Sequence, residues 1–246
     1  MAIEVFNRYE NKYLMDTEAF NGFYSRLMEH MEPDSNNKGG QFYVISNLYY
    51  DTDQHTLVRS SLSKPKYKEK LRIRAYGVPS PNAKVYLELK KKVFGLVNKR
   101  RTSLNLQEAY EFVHTGQPPA FREGMNRQVM QEIEYFLSRY QLRPMAYLAY
   151  DRIAMFCKGN RDLRITFDTN IRSRRYDLRL EAGDHGEQLM EPGQWLMEVK
   201  AEKTIPVWLS RLLSEQQMYR TSFSKYGNEY KKSIRYANQE KERILI

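Results

Sequence analysis

Period-2 alternation of cationic and aliphatic residues constrains this chain more than any other feature. Segment 69–77, EKLRIRAYG, puts Lys70, Arg72 and Arg74 on one parity and Leu71 and Ile73 on the other. The pattern returns in YLELK (86–90), LRITFDTNIRSR (163–174) and WLMEVKAE (195–202). Such alternation suits a strand with two unlike faces; a helix would scatter the same residues around its axis. It predicts strands over 3–15, 41–51, 67–77, 84–93, 96–105, 143–157, 163–174 and 195–203. Phe94–Gly95 reads as a tight turn between two of them, with Gly95 at positive φ.

Helical spacing occupies the intervals. One helix, capped by Thr17, carries Phe20, Phe23, Tyr24, Leu27 and Met31 and ends at Pro33; others are predicted over 106–114, over 126–140 and from Pro206 onward. Strands that do not alternate regularly with helices predict an α+β fold. Its core would be one antiparallel sheet, an eight-stranded β-barrel closed or nearly so, with helices packed outside. No internal repeat or long linker divides the 246 residues, so a single domain over 1–246 is expected.

The polar parity is basic on strand after strand. It reads Arg8, Glu10, Lys12; Lys70, Arg72, Arg74; Glu88, Lys90, Lys92; Lys99, Arg101; Arg152; Arg164, Thr166, Asp168, Arg172; and Glu198, Lys200. For any one strand, a solvated face accounts for this. The set taken together favours arginine and leaves carboxylates in the minority. If these faces converge inside a barrel, the cations repel one another at low dielectric, and only an anion or admitted water makes that tolerable. An eight-stranded barrel has room for one small ligand, and guanidinium forks match phosphate oxygens in pairs. A phosphate-chain ligand is therefore expected, in keeping with the net charge of +10.

Neither GxxxxGK[ST] nor a GxGxxG after a strand occurs, so side chains must do the binding. The carboxylates Glu10, Glu88, Asp168 and Glu198 either pair with neighbouring cations or hold a Mg²⁺ or Mn²⁺ bridged to phosphate. The four histidines form no HExxH or other close pair, and Cys157 is the only cysteine, which excludes a disulfide framework. The 19 tyrosines read as packing residues. The first residues lack an apolar signal core and no apolar run reaches membrane-spanning length, so a cytoplasmic location is expected.

The chain resembles the VTC domain, the polyphosphate polymerase module of the triphosphate tunnel metalloenzyme (CYTH-like) superfamily. The resemblance rests on RYENKY (8–13), SNLYYDT (46–52), EKLRIRAYG (69–77), YLELKKK (86–92), NKRR (98–101), AYDRIAM (149–155), LRITFD (163–168), LMEVKAE (196–202) and SFSKYGNEY (222–230), in family order over nearly the whole chain. It implies an eight-stranded tunnel that moves the γ-phosphoryl of a nucleoside triphosphate, ATP first, onto a polyphosphate chain, with Mn²⁺ or Mg²⁺ as cofactor and no duplex nucleic acid as partner. By segment, the resemblance assigns phosphate contacts to Lys12, Arg72, Arg74, Lys90, Lys99, Arg152, Lys200, Ser224 and Lys225. Of these, Arg72, Arg74, Lys90, Arg152 and Lys200 are expected to act on the transferring group. Arg8, Lys70 and Arg164 join the phosphate-binding set through their strand parity. Glu198 aligns with the family's metal-binding glutamate, and Glu10 is the second metal candidate. One departure separates the chain from the hydrolase and cyclase branch of the superfamily: ExExK there is R-x-E-x-K here, from Arg8 to Lys12. The exchange removes a carboxylate and favours phosphate-chain binding. The sensor domain and membrane helices of the family's eukaryotic complexes have no counterpart in the sequence. A triphosphate hydrolase of the same fold and a non-catalytic polyphosphate-binding module are the alternatives.

Overall fold

In a computed structural model, the structure describes residues 5–37 and 40–244. The long strands are β1 (Val5–Met15), β3 (Tyr43–Asp51), β4 (Tyr67–Tyr76), β5 (Lys84–Val93), β6 (Leu96–Asn105), β7 (Arg143–Cys157), β8 (Asn160–Arg174) and β10 (Trp195–Ala201), with two short ones, β2 (Met31–Pro33) and β9 (Glu187–Gln188). The helices are α1 (Thr17–Leu27), α2 (Thr56–Leu62), α3 (Leu106–Thr115), α4 (Arg127–Arg139), α5 (Val207–Glu215) and α6 (Lys225–Ile244). This is an α+β fold built on one large antiparallel sheet. The ladders run β7-β3-β4-β5-β6-β1-β10-β8, and β8 pairs with β7 as well as with β10.

Register sets the function of each face. Residues opposite one another in an antiparallel pair project to the same side. Lys70 faces Lys90, which faces Lys99; Arg72 faces Glu88, which faces Arg101. Lys12 faces Glu198, and Lys200 lies between Glu10 and Arg164. The alternate residues form the outer core. Leu71, Ile73, Leu87 and Leu89 pack with Phe112 of α3 and Ile133 and Phe136 of α4. Met155, Ile165, Phe167 and Val199 pack with Phe23 and Leu27 of α1 and Leu209 of α5.

Local signals fix the element ends. Phe94 and Gly95 turn with φ of 45° and 93°; two successive positive values define the hairpin turn that glycine makes inexpensive. A capping box joins Asn105 and Glu108 at the start of α3, and Gly116 closes it at φ 75°. Asn126 caps α4 by accepting from the Val129 amide.

Four sequence expectations are corrected. Asp16, not Thr17, caps α1, accepting from the Ala19 amide at 2.8 Å. That helix ends at Leu27, and Pro33 instead terminates β2. Two helices, α2 and α6, lie outside the segments predicted as helical. Arg172 does not share a face with Arg164 and Asp168. Asn170 at φ 49° and a register shift opposite Ala149–Asp151 flip the parity, and Arg172 pairs with Asp151 and Asp184. Among the described residues, no helix is long and apolar enough to cross a membrane.

Candidate functional site

The basic parity of the strands surrounds a cavity of about 960 Å³. Sixteen basic side chains and four carboxylates line it, so its wall carries a large positive surplus. Apart from Arg8, the phosphate-binding candidates and the metal candidates Glu10 and Glu198 line it: Glu10 and Lys12 from β1, Lys70, Arg72 and Arg74 from β4, Lys90 from β5, Lys99 from β6, Arg152 from β7, Arg164 from β8, Glu198 and Lys200 from β10, and Ser224 and Lys225 at the start of α6. Glu88 and Asp168 do not line it. The Arg8 side chain lies outside the described residues.

Two carboxylates brace the cations from within the wall. Glu88, 1% exposed, accepts Arg72 Nε at 2.9 Å and Nη2 at 2.7 Å, and Lys99 Nζ at 3.1 Å. Asp168, fully buried, accepts Arg152 through both oxygens (2.6 and 2.7 Å) and Lys225 at 2.5 Å. Burial alone would raise both carboxyls. Arg74, Lys99 and Arg72 hold Glu88 well below the usual range, and Arg152 and Lys225 lower Asp168. These ionised anchors fix the guanidinium planes at little entropic cost. Arg72 also donates to the Tyr49 hydroxyl (2.8 Å), while Arg74 bridges Asn47 and the Tyr150 hydroxyl, each at 3.0 Å. Burial pushes the Tyr150 phenol up, but Arg74, Arg152 and Lys225 bring it down to about 8.

Glu198 and Glu10 line the cavity itself. Glu198 meets Lys200 at 2.6 Å, Lys12 at 3.2 Å and Lys225 at 3.5 Å. Against the effect of burial, these cations hold its carboxyl well below the ordinary range. Glu10 meets Lys90 at 2.8 Å; burial opposes its ionisation, yet Lys90 and Lys200 bring it to about 2. Both carboxylates are thus ionised at neutral pH and ion-paired.

The lysines register the opposite stress. Lys70, beside Lys90 in the ladder and bonded to Ser224 Oγ at 2.9 Å, is brought to about 7 by burial and then by Lys12 and Lys90. Lys99 falls to about 7 through burial despite Glu88, and Lys200 to about 8 through burial despite Glu198. An anion placed among them would favour their charged forms.

The start of α6 closes part of the wall. Ser224 Oγ accepts the Gly227 amide at 3.1 Å, leaving a capped helix N-terminus facing the cavity. A Cβ on Gly227 would meet Ser224 Oγ at 3.0 Å and Leu62 Cδ2 at 3.1 Å, so glycine permits the close seating of this turn. Lys12 Nζ donates to the Phe223 carbonyl at 2.6 Å, and the Thr221 amide donates to the Lys12 carbonyl at 2.8 Å. Tyr226 stacks on Tyr49 and donates to Asp51 at 3.1 Å.

The described residues contain no group of three or more His, Cys, Asp and Glu placed to hold a metal ion. Glu198 and Glu10 are diagonal neighbours across the β1–β10 ladder and influence one another electrostatically. Two hard carboxylates suit a Mg²⁺- or Mn²⁺-type ion that takes its remaining ligands from phosphate and water. They would not form an all-protein cage.

Several lining residues fall outside the basic parity pattern. Asp34, from the loop after β2, accepts Arg164 at 2.8 Å and the Asn36 amide at 2.8 Å. Tyr49 and Tyr150 lie on the inward parity of β3 and β7, where the expectation was packing alone; they both pack and orient arginines. Lys66 sits 5.4 Å over the Phe94 ring and is absent from the cavity wall, whereas Lys64 lines it.

Comparison with known proteins bears on this wall. The model of the VTC domain family matches residues 7–234. A solved candidate adenylate cyclase from Bacillus halodurans superposes with TM-score 0.55 at 18% identity, over 90% of this chain and 96% of that one. A Hippeastrum protein, a candidate adenylyl cyclase with a dominant triphosphatase activity, superposes with TM-score 0.50 at 17% identity, over 91% and 93%. At these identities the likeness is one of fold. No curated protein is a significant sequence match to the chain.

Proposed function

The chain belongs to the VTC-domain family, and on that premise we propose that it is a polyphosphate polymerase-type phosphotransferase working inside a closed eight-stranded tunnel. The return of the ladder from β8 to β7 supports closure. The observation that carries the ligand class is the row Lys70–Lys90–Lys99 across three strands, with Arg72 and Arg74 in the same cavity. Like charges directly opposite one another destabilise a sheet. Their persistence makes sense in a site completed by a polyanion.

In the proposed reaction, a terminal oxygen of the acceptor chain attacks the γ-phosphorus of a nucleoside triphosphate. A P–O bond forms to the acceptor, the bond between the γ-phosphorus and the β–γ bridging oxygen breaks, and the nucleoside diphosphate leaves with that oxygen. Acceptor phosphate is ionised at neutral pH, so no general base is required. Arg72 and Arg152, fixed by Glu88 and Asp168, would orient donor and acceptor and offset charge on the equatorial oxygens. Lys99, Lys90 and Lys200 would bind along the chain, and Ser224 with Lys225 would hold a phosphoryl group at the α6 N-terminus. When bound at Glu198, with Glu10 as second carboxylate, a divalent ion supplies charge neutralisation between donor phosphates.

Incubation with ATP and Mn²⁺, with products separated by length, tests the proposal. A ladder of long phosphate chains is expected. Free phosphate alone would replace the transferase with a triphosphate hydrolase, and no turnover despite tight binding would leave a binding module.

A further inference from the structure

The two ends of the cavity differ in chemistry. β4 runs between them, from Lys68 to Tyr76, eight residues or roughly 26 Å of strand. Around Lys68 the wall is lysine-rich, with Lys64, Lys92 and Lys231. Around Tyr76 it is aromatic and arginine-bearing. Tyr43 and Tyr76 stack with centroids 5.9 Å apart and planes at 28°. Phe156 lies under two guanidinium groups, Arg161 at 4.7 Å and Arg164 at 5.1 Å. Asp34 ties the two groups together, accepting Arg164 at 2.8 Å and the Tyr43 hydroxyl at 3.4 Å. Tyr76 lines the cavity and keeps 44% of its surface exposed.

An inorganic phosphate chain gains little from aromatic faces; a nucleobase gains stacking. We propose that the Tyr43–Tyr76–Phe156 rim is the nucleoside subsite, holding the base of a nucleoside triphosphate while its phosphates run inward past Arg152 and Arg74. This rests on reading the cavity as a triphosphate site. Asp34 and Arg164 Nη2 beside the rings are bonded to one another, and stacking on ring faces is tolerant of base identity. Purine nucleotides should therefore bind alike.

The test compares ATP, GTP and inorganic tripolyphosphate by calorimetry on the full chain without divalent metal, for wild type, Tyr76→Ala and Tyr76→Phe. Tyr76 is exposed enough for truncation to spare the fold. Tyr76→Ala should weaken ATP and GTP by about tenfold, the loss expected for one stacking ring. It should leave tripolyphosphate unchanged, and Tyr76→Phe should restore both nucleotides. Equal losses for ATP and tripolyphosphate, or none for ATP, would overturn the subsite while leaving the phosphate reading intact. Failure of wild type to bind tripolyphosphate would overturn both.

Discussion

Glu88→Gln should destabilise the ligand-free protein and make it unusually responsive to phosphate. Glu88 is 1% exposed and holds Arg72 through two contacts, Lys99 at 3.1 Å and Arg74 at 3.8 Å. Removing one partner of a buried ion pair costs about 3–5 kcal/mol, because the remaining charge stays buried. Glutamine retains a carbonyl that can accept from Arg72, which places the expected loss near the lower end, about 3 kcal/mol. For a chain of this size, each kcal/mol moves the melting temperature by about 2–4 °C, so Tm should fall by about 6–12 °C. Saturating tripolyphosphate supplies the missing negative charge, and its stabilising shift should be larger in the variant than in wild type. Fluorescence-detected melting can follow this through Trp195, stacked on Phe20, and Trp208, stacked on His30. A variant that melts within about 2 °C of wild type, by the same conversion about 0.5–1 kcal/mol, and shows the same ligand shift would refute the bracing role of Glu88.

Arg72→Ala should weaken tripolyphosphate binding by about 1.5–3 kcal/mol, the value of a charge-assisted contact, measured by calorimetry on the folded variant. Glu198→Gln should abolish Mn²⁺-dependent turnover while tripolyphosphate affinity holds or rises; a normal metal-activation curve would remove Glu198 from the metal site. Lys70 and Lys99 at about 7 and Lys200 at about 8 lie below the 10.5 of the unfolded chain. The unfolded chain therefore binds more protons between about pH 7 and 10.5, and these groups make the ligand-free fold more stable as pH rises through that window. The bound form needs the lysines charged, so tripolyphosphate affinity should fall over the same range. Binding at pH 8 should draw protons from the buffer, read as a binding heat that varies with buffer ionisation enthalpy.

Most of the eight long strands were legible because they alternate cations with aliphatic residues, β3 being an apolar and aromatic run without a cation, and that parity also identified the inward side of Lys12, Lys70, Arg72, Lys90, Lys99 and Lys200. Parity failed where the backbone left the pleat: Asn170 at positive φ turns Arg172 outward, and no residue type near it announces the bulge. Helix α6 is not legible because its buried residues, Lys225, Tyr226, Gly227 and Glu229, form no apolar stripe among many polar ones, and its ties run to Asp51 and Arg175 far away in sequence. Helix α2 spans only 7 residues, and its first amides are capped from upstream by Asp51 and Thr52 and not by its N-cap residue His55. Parity put Glu88 and Asp168 on the polar face with Glu198 and Glu10, but could not divide bracing carboxylates from lining ones. That division depends on which cations close over them. Asp34 reaches Arg164 from a loop, across 130 residues.

The most direct measurement is calorimetric titration of the protein with linear tripolyphosphate against orthophosphate at matched ionic strength, with ATP as competitor. The account predicts one site per chain, tripolyphosphate bound far more tightly than orthophosphate, displacement by ATP, and loss of the site in an Arg72→Ala, Lys99→Ala double variant that still folds. Binding at several equivalent sites per chain, indifferent to ATP and to both substitutions, would place the phosphate on the outer surface and contradict it.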